Sequence, residues 1–121
     1  MIAGRVEGLH ALLPVTFRLP DSRAIAIEFV VDTGFTDALC LPMPAVIALG
    51  FPYRFDFPAR LADGSAVNLP AHEATIEWNG VEQDVYLLAT GNRPLIGTAL
   101  LDGVELVVQF IEGGLVTVDT L

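Results

Sequence analysis

Lysine is absent from the sequence, and basic residues are few. The six basic residues are all arginines, whereas 15 residues are acidic, so the 121 residues carry a formal net charge of −9. A nucleic-acid-binding surface needs clustered Lys and Arg side chains, and attraction to an anionic membrane surface needs the same charge. The composition therefore predicts neither a nucleic-acid partner nor a membrane partner.

Cysteine and histidine are also scarce, which restricts thiol and metal chemistry. The one cysteine, Cys40, stands between two leucines, which predicts a buried apolar position rather than a nucleophile. A single cysteine also excludes an intrachain disulfide. The two histidines, His10 and His72, are far apart and lack the spacing of metal ligands. We expect no metal site and no cofactor, and we expect His72 to be exposed.

Long hydrophobic runs are missing as well. No apolar run approaches the ~20 residues of a membrane-spanning helix, and the N-terminus lacks the pattern of a signal peptide. These absences predict a cytoplasmic protein. Apolar residues nevertheless make up 53% of the chain and charged residues only 17%, which excludes disorder. We expect one domain over residues 1–121, with apolar surface buried against a partner.

The chain is rich in extended segments separated by turn residues. Asp63-Gly64 lies between extended segments at residues 53–61 and 65–69, and Asn79-Gly80 lies between segments at residues 73–78 and 81–87, as expected of tight hairpin turns. The remaining strands are predicted at residues 12–19, 24–31, 38–41, 106–111 and 115–118, with residues 24–31 fully buried. Residues 42–50 form the best helix, because proline is early and glycine closes it. The prediction is an all-β fold of about eight or nine strands with one or two short helices.

Residues 30–34, Val-Val-Asp-Thr-Gly, are the most informative segment for chemistry. An aspartate directly after an apolar strand needs hydrogen-bond partners, and the following Thr-Gly favours a tight loop. Alone, Asp32-Thr33-Gly34 is compatible with an ordinary turn. Two further features accompany it, namely the Asp-Gly hairpin at residues 60–66 and the Leu95-Ile96-Gly97 segment before a short helix.

Together these three motifs, in this order, resemble those of the retropepsin-like aspartic proteases, especially small bacterial and archaeal members. The resemblance covers the chain from about Leu12 onward. It implies an acid-protease β-barrel that acts as a homodimer, because such enzymes use two carboxylates that share one proton and this chain supplies one. The implied substrate is a peptide or protein.

The resemblance also implies roles for individual residues. Asp32 is the catalytic carboxylate, and Thr33 and Gly34 complete the catalytic loop, with the Thr33 hydroxyl reaching across the dimer. The implied substrate-binding residues are those of the loop, the flap tip and the segment behind the loop: Phe35, Thr36, Asp37, Ala62, Asp63, Gly64, Ser65, Leu95 and Ile96. The flap tip Asp63-Gly64-Ser65 departs from the family pattern because it is more polar and has no aromatic residue, and two residues of the loop depart from it as well. Phe35 is large, and Asp37 is a further carboxylate near the dyad, which selects basic or polar side chains if it faces the cleft.

Two alternatives remain open at the level of sequence. The same dimeric fold could serve as a peptide-binding or protein-binding module with little or no catalysis, since fold does not guarantee activity. In the other alternative the chain is an unrelated small β-barrel, and Asp32-Thr33-Gly34 is only a turn. A symmetric pair of Asp32 residues distinguishes the peptidase and the binding module from the unrelated barrel. Loss of cleavage on changing Asp32 distinguishes the peptidase from the binding module.

Overall fold

A computed structural model describes all residues, 1–121. It contains ten strands and two short helices. The strands are β1 (Ile2–Glu7), β2 (His10–Arg18), β3 (Ala24–Val31), β4 (Leu39–Leu41), β5 (Tyr53–Arg60), β6 (Ala66–Trp78), β7 (Val81–Ala89), β8 (Leu95–Ile96), β9 (Val104–Val108) and β10 (Leu115–Thr120). The helices are α1 (Met43–Leu49) and α2 (Thr98–Leu101). The all-β prediction is confirmed.

All ten strands belong to one curled sheet. Its order is β5-β6-β7-β4-β8-β3-β2-β1-β10-β9, and an additional pairing of β6 with β2 closes the central strands into a barrel. Most pairs are antiparallel, but β8 runs parallel to β3, and β4 runs parallel to β7. The short strands β4 and β8 thus lie inside the barrel wall, where both of their edges are paired.

The barrel interior is filled by aromatic and branched side chains. Phe17, Phe29, Leu13, Ile76 and Leu87 are completely buried, and the Phe17 ring lies 5.8 Å from Phe29 between centroids. Alternation along β2, β3, β6 and β7 turns these residues toward the interior, as the period of two in a strand requires. This packing fixes the strands from which the Asp32 loop emerges.

Helix α1 forms where the sequence predicts it. Pro44 stands in its first turn, where the missing N–H costs nothing, and Gly50 closes the helix with a φ of +79°. The Gly50 N–H donates to Ile47 O at 3.1 Å. A left-handed residue after a helix is the usual role of such a glycine.

Several sequence-based expectations about strands are wrong. The predicted strands at residues 65–69 and 73–78 are one 13-residue strand, β6, that passes through Pro70. Pro70 is tolerated because β6 pairs with β5 there and only later takes up β7 as its second partner. Strand β3 is not fully buried, since only Phe29 and Val30 have buried side chains. Strand β1 was not predicted. In the last hairpin, β9 is shorter than the strand predicted at residues 106–111, and β10 is longer than the strand predicted at residues 115–118.

His72 is buried, which corrects the expectation that it is exposed. Only 7% of its surface is accessible, and its Nδ1 lies 2.8 Å from Phe51 O. A carbonyl oxygen can only accept, so Nδ1 carries the proton and donates this bond. The bond ties β6 to the segment between α1 and β5, where Phe51 is itself buried.

Replacing His72 tests the contribution of this hydrogen bond to stability. His72→Leu keeps an apolar body but leaves the Phe51 carbonyl without its buried donor. We expect the free energy of unfolding to fall by about 1–3 kcal/mol, measured by urea denaturation. The matched change His10→Leu, at an exposed histidine, should alter it by less than about 0.5 kcal/mol. Equal effects of the two changes would contradict the assigned role of His72.

Candidate active site

The Asp32 loop begins where β3 ends, and its own backbone orients the carboxylate. The Gly34 N–H donates to Asp32 Oδ1 at 2.9 Å, and the Phe35 N–H donates to Asp32 O at 3.1 Å. Asp32 is only partly buried. One carboxylate oxygen is therefore held by a backbone donor, while the side chain keeps access to the space above the loop.

A second segment, residues 96–98, supports the loop from below. Its three backbone hydrogen bonds join Asp32 N to Ile96 O at 2.9 Å, Gly97 N to Ala38 O at 2.9 Å, and Thr98 N to Phe35 O at 2.8 Å. Gly97 has no room for a side chain, because a Cβ there would lie 1.9 Å from Asp37 O. The loop and this segment therefore form one closely packed backbone unit.

The Asp32 loop forms the floor of a cleft of about 520 Å³. The other walls come from β5 and the residues after it, from β6 and β7, and from the loop before β8. The cleft is lined by Asp32, Gly34, Phe35, Thr36, Asp37, Cys40, Phe57, Pro58, Ala59, Arg60, Leu61, Leu69, Leu88, Thr90, Gly91 and Leu95. Its volume falls in the range of ordinary ligand sites.

A second, more apolar pocket of about 290 Å³ adjoins this cleft. The two share Asp37, Phe57 and Leu88. The rings of Phe55 and Tyr86 meet edge to face, with centroids 5.0 Å apart, and both line the second pocket. Asp37 thus lines both a mixed cleft and an apolar one.

The turn after β5 has the geometry of a tight hairpin. Ser65 donates to Asp63 Oδ1 through its N–H at 2.9 Å and through its hydroxyl at 2.6 Å. These two bonds, the hydroxyl first, lower the pKa of the Asp63 carboxyl below its usual value. Gly64 adopts a φ of +86°, which explains glycine at this position. The turn is therefore ordered by its own side chains.

The structure brings together half of the twelve site residues singled out in the sequence. Asp32, Gly34, Phe35, Thr36, Asp37 and Leu95 line one cleft. Thr33 is exposed beside it, and Ile96 is fully buried below the loop. The flap-tip residues are exposed and lie outside the cleft lining of this single chain: Ala62, Asp63, Gly64 and Ser65.

Sequence reasoning missed the part of β5 that forms a wall of the cleft. Phe57, Ala59 and Leu61 line it, together with Arg60. The alternation of Phe55, Phe57, Ala59 and Leu61 ahead of the turn was the available signal, because a period of two places these side chains on one face.

Cys40 lies in the cleft wall but is a poor nucleophile. Burial raises the pKa of its thiol, and its Sγ donates to Thr90 O at 3.1 Å. A thiol that stays protonated lacks the reactive thiolate form. The chemistry of the cleft therefore rests on its carboxylates. The structure brings no three His, Cys, Asp or Glu side chains together as metal ligands.

Comparison with solved structures agrees with this architecture. The fold is similar to that of a retropepsin-like aspartic protease from Rickettsia conorii, with a TM-score of 0.50 and 18% sequence identity over 98% of this chain and 94% of that one. The chain thus has a retropepsin-like fold. Comparisons of the sequence with protein families and with curated proteins give no match. Neither helix has the length and apolar character needed to cross a membrane.

Gly97 provides a test of the loop support. Gly97→Ala forces a Cβ against the Asp37 and Phe35 carbonyls, and overpacking against backbone cannot be relieved by a rotamer change. We expect the free energy of unfolding to fall by about 3 kcal/mol, the upper part of the range for overpacking, measured by chemical denaturation. Ala99→Ser, two residues away and exposed, is the control and should change it by less than about 0.5 kcal/mol. A fall in the free energy of unfolding as small as that of the control would show that the segment is not closely packed.

Proposed function

We propose that the chain, as one domain over residues 1–121, is an aspartic endopeptidase that acts as a homodimer on peptide or protein substrates. The observation that carries this proposal is the Asp32 carboxylate, oriented by the Gly34 N–H at 2.9 Å on the floor of the 520 Å³ cleft. The retropepsin-like fold supports it. A turn without function would not need a cleft above its carboxylate.

The requirement for two chains follows from the chemistry. Peptide hydrolysis by carboxylates needs one ionised group and one protonated group close together. This chain has one Asp-Thr-Gly segment. A two-fold axis beside the loop supplies the second carboxylate from Asp32 of the partner subunit. The Thr33 hydroxyl, which is exposed and makes no hydrogen bond within its own chain, is available for the partner's loop.

In the reaction, the ionised carboxylate of the pair removes a proton from a water molecule, and the water oxygen attacks the carbonyl carbon of the peptide. The protonated carboxyl group donates to the carbonyl oxygen and neutralises the developing negative charge. Collapse of the tetrahedral intermediate breaks the C–N bond, and the leaving nitrogen takes a proton from the carboxyl pair. Water is the only co-reactant, so the mechanism requires neither metal nor cofactor.

The cleft walls bind the substrate in this proposal. Phe35, Thr36 and Leu95 contact the side chains that flank the cut bond, and Ile96 supports them from below. Asp37 favours a basic or polar side chain at the junction of the two pockets. Residues 62–65 close over the bound peptide and exclude water. We place the protein in the cytoplasm, in keeping with its single buried cysteine.

Asp32→Asn tests the catalytic role directly. We expect cleavage of a mixed peptide library to fall by about 10²–10⁴-fold, because the amide can neither accept the proton nor share it. Glu77→Gln, the same chemical change on the solvent face of β6, should cleave like the unchanged protein. Cleavage that persists in Asp32→Asn contradicts the proposal. Peptides that bind to the unchanged protein without being cut would favour the binding module instead.

The pH dependence of cleavage provides a second test. Two like carboxylates cannot both ionise at short distance, and loss of the shared proton inactivates the pair. Two chains of −9 each also repel one another less when some carboxylates are neutral. We expect the rate of cleavage to be highest at mildly acidic pH and to fall on both sides. A rate that rises steadily toward alkaline pH would contradict this mechanism.

A further inference from the structure

The apolar pocket of about 290 Å³ beside the cleft contains one charged residue, Asp37. Phe55, Phe57 and Tyr86 contribute aromatic rings to its lining. Phe55 is 39% exposed and Tyr86 is 52% exposed, and their rings meet edge to face. These two rings are therefore accessible to a ligand instead of being covered by the core of the chain.

Asp37 is half-buried and has no partner for its charge within the chain. The ion pairs of the chain all involve other carboxylates. The aspartate side chains that accept hydrogen bonds are those of Asp21, Asp32, Asp56, Asp63 and Asp84. A carboxylate that loses contact with water and gains no donor costs free energy. An occupant of the apolar pocket therefore has to bring a donor to Asp37.

The face of the sheet beyond the apolar pocket is also acidic. Leu88, Tyr86 and Asp84 alternate along β7 and so lie on one face, and Glu73 is the strand partner of Tyr86. Glu73 and Asp84 line a further pocket of about 230 Å³, which shares Tyr86 with the apolar pocket. Arg54, which is close to this face, is already paired with Glu73. A cation bound at Tyr86 thus has carboxylates in both pockets, whereas an anion there is repelled.

Arginine is the side chain that satisfies both the rings and the carboxylate. Its planar guanidinium stacks on aromatic rings and donates two hydrogen bonds to one carboxylate, and its aliphatic stem packs on apolar surface. Lysine carries a strongly hydrated point charge that does not stack. A leucine or phenylalanine side chain would fill the apolar lining but would leave Asp37 covered and unpaired.

We propose that the apolar pocket binds an arginine side chain of the substrate, with the guanidinium against Asp37 and the Tyr86 ring. The proposal rests on the proposed function and narrows its substrate class to peptides with an arginine near the cut bond. The apolar pocket shares Phe57 and Leu88 with the cleft, so a side chain of a peptide bound above the Asp32 loop can enter it. Two identical chains supply two such pockets, and arginine is therefore selected on each side of the cut bond.

Peptides that carry arginine, citrulline or leucine at each position in turn test the role of Asp37. Citrulline has the shape of arginine but no charge. We expect one position on each side of the cut bond at which arginine raises kcat/KM about tenfold over citrulline and leucine, as for a hydrogen bond to a charged group. In Asp37→Asn we expect this ratio to fall to within about threefold of one. Asp56→Asn, the same change on the opposite face of β5, is the control and should keep the preference.

The role of the ring is tested by two changes at Tyr86. Tyr86→Phe keeps the ring and should keep the preference for arginine over citrulline. Tyr86→Leu removes the ring, and we expect the preference to fall about two- to fivefold, as for an exposed cation–π contact. Equal preferences in these two variants would contradict the stacking. Far-UV circular dichroism checks that each variant is folded.

Peptide binding separates this proposal from the peptidase itself. Fluorescence anisotropy of labelled peptides on the Asp32→Asn protein, with and without Asp37→Asn, gives the same preference as a ratio of Kd values. A preference for arginine that depends on Asp37, in a protein that cleaves nothing, would support the pocket and reject the peptidase. Cleavage that depends on Asp32 but treats arginine like citrulline or leucine would do the reverse.

Three further results would overturn the proposal. One is a preference for arginine that survives Asp37→Asn. Another is a preference that Asp56→Asn abolishes as fully as Asp37→Asn does, because the general negative charge of the chain would then be its cause. The third is a protein that binds none of the peptides at millimolar concentration.

Discussion

The candidate site depends on the contact between the Asp32 loop and residues 96–98. Three of its hydrogen bonds join backbone groups, and a longer fourth bond runs from the Thr98 hydroxyl to Phe35 O. The contact requires close approach, and only glycine at position 97 permits it, since a Cβ would lie 1.9 Å from Asp37 O. The orientation of the Asp32 carboxylate by Gly34 follows from this fixed loop. The cleft floor is thus a rigid backbone surface rather than an arrangement of mobile side chains.

The charged side chains of this acidic chain lie mainly at its surface. Most acidic side chains lie on exposed strand faces or in turns, and several pair with arginines, as Glu73 does with Arg54 and Glu82 with Arg18. Such exposed pairs contribute little to stability. Most of the net charge of −9 is therefore exposed to solvent and is screened at physiological salt.

The predictable parts of the fold are those set by local pattern. The Asp63-Gly64 and Asn79-Gly80 turns, helix α1 and the alternating strand faces all follow from spacing within a few residues. The predictions failed where a residue far away in the sequence supplies the strand pairing or the hydrogen bond. Pro70 suggests a break in a strand, yet β6 continues because β5 supplies the pairing. His72 is polar and looks exposed, yet the Phe51 carbonyl gives it a buried partner.

The sequence by itself determined the all-β class and the loop that carries Asp32, because strand periodicity, turn residues and a short motif are local properties of the chain. It also determined that one chain carries a single Asp-Thr-Gly segment. Only the tertiary structure decided that Phe57, Arg60 and Leu61 form the wall opposite that loop, and that Ile96 lies below it rather than in the cleft. It alone decided which strand edge stays unpaired, because edges depend on the order of strands in the sheet. That order arises from contacts between residues far apart in the chain, which no local pattern encodes.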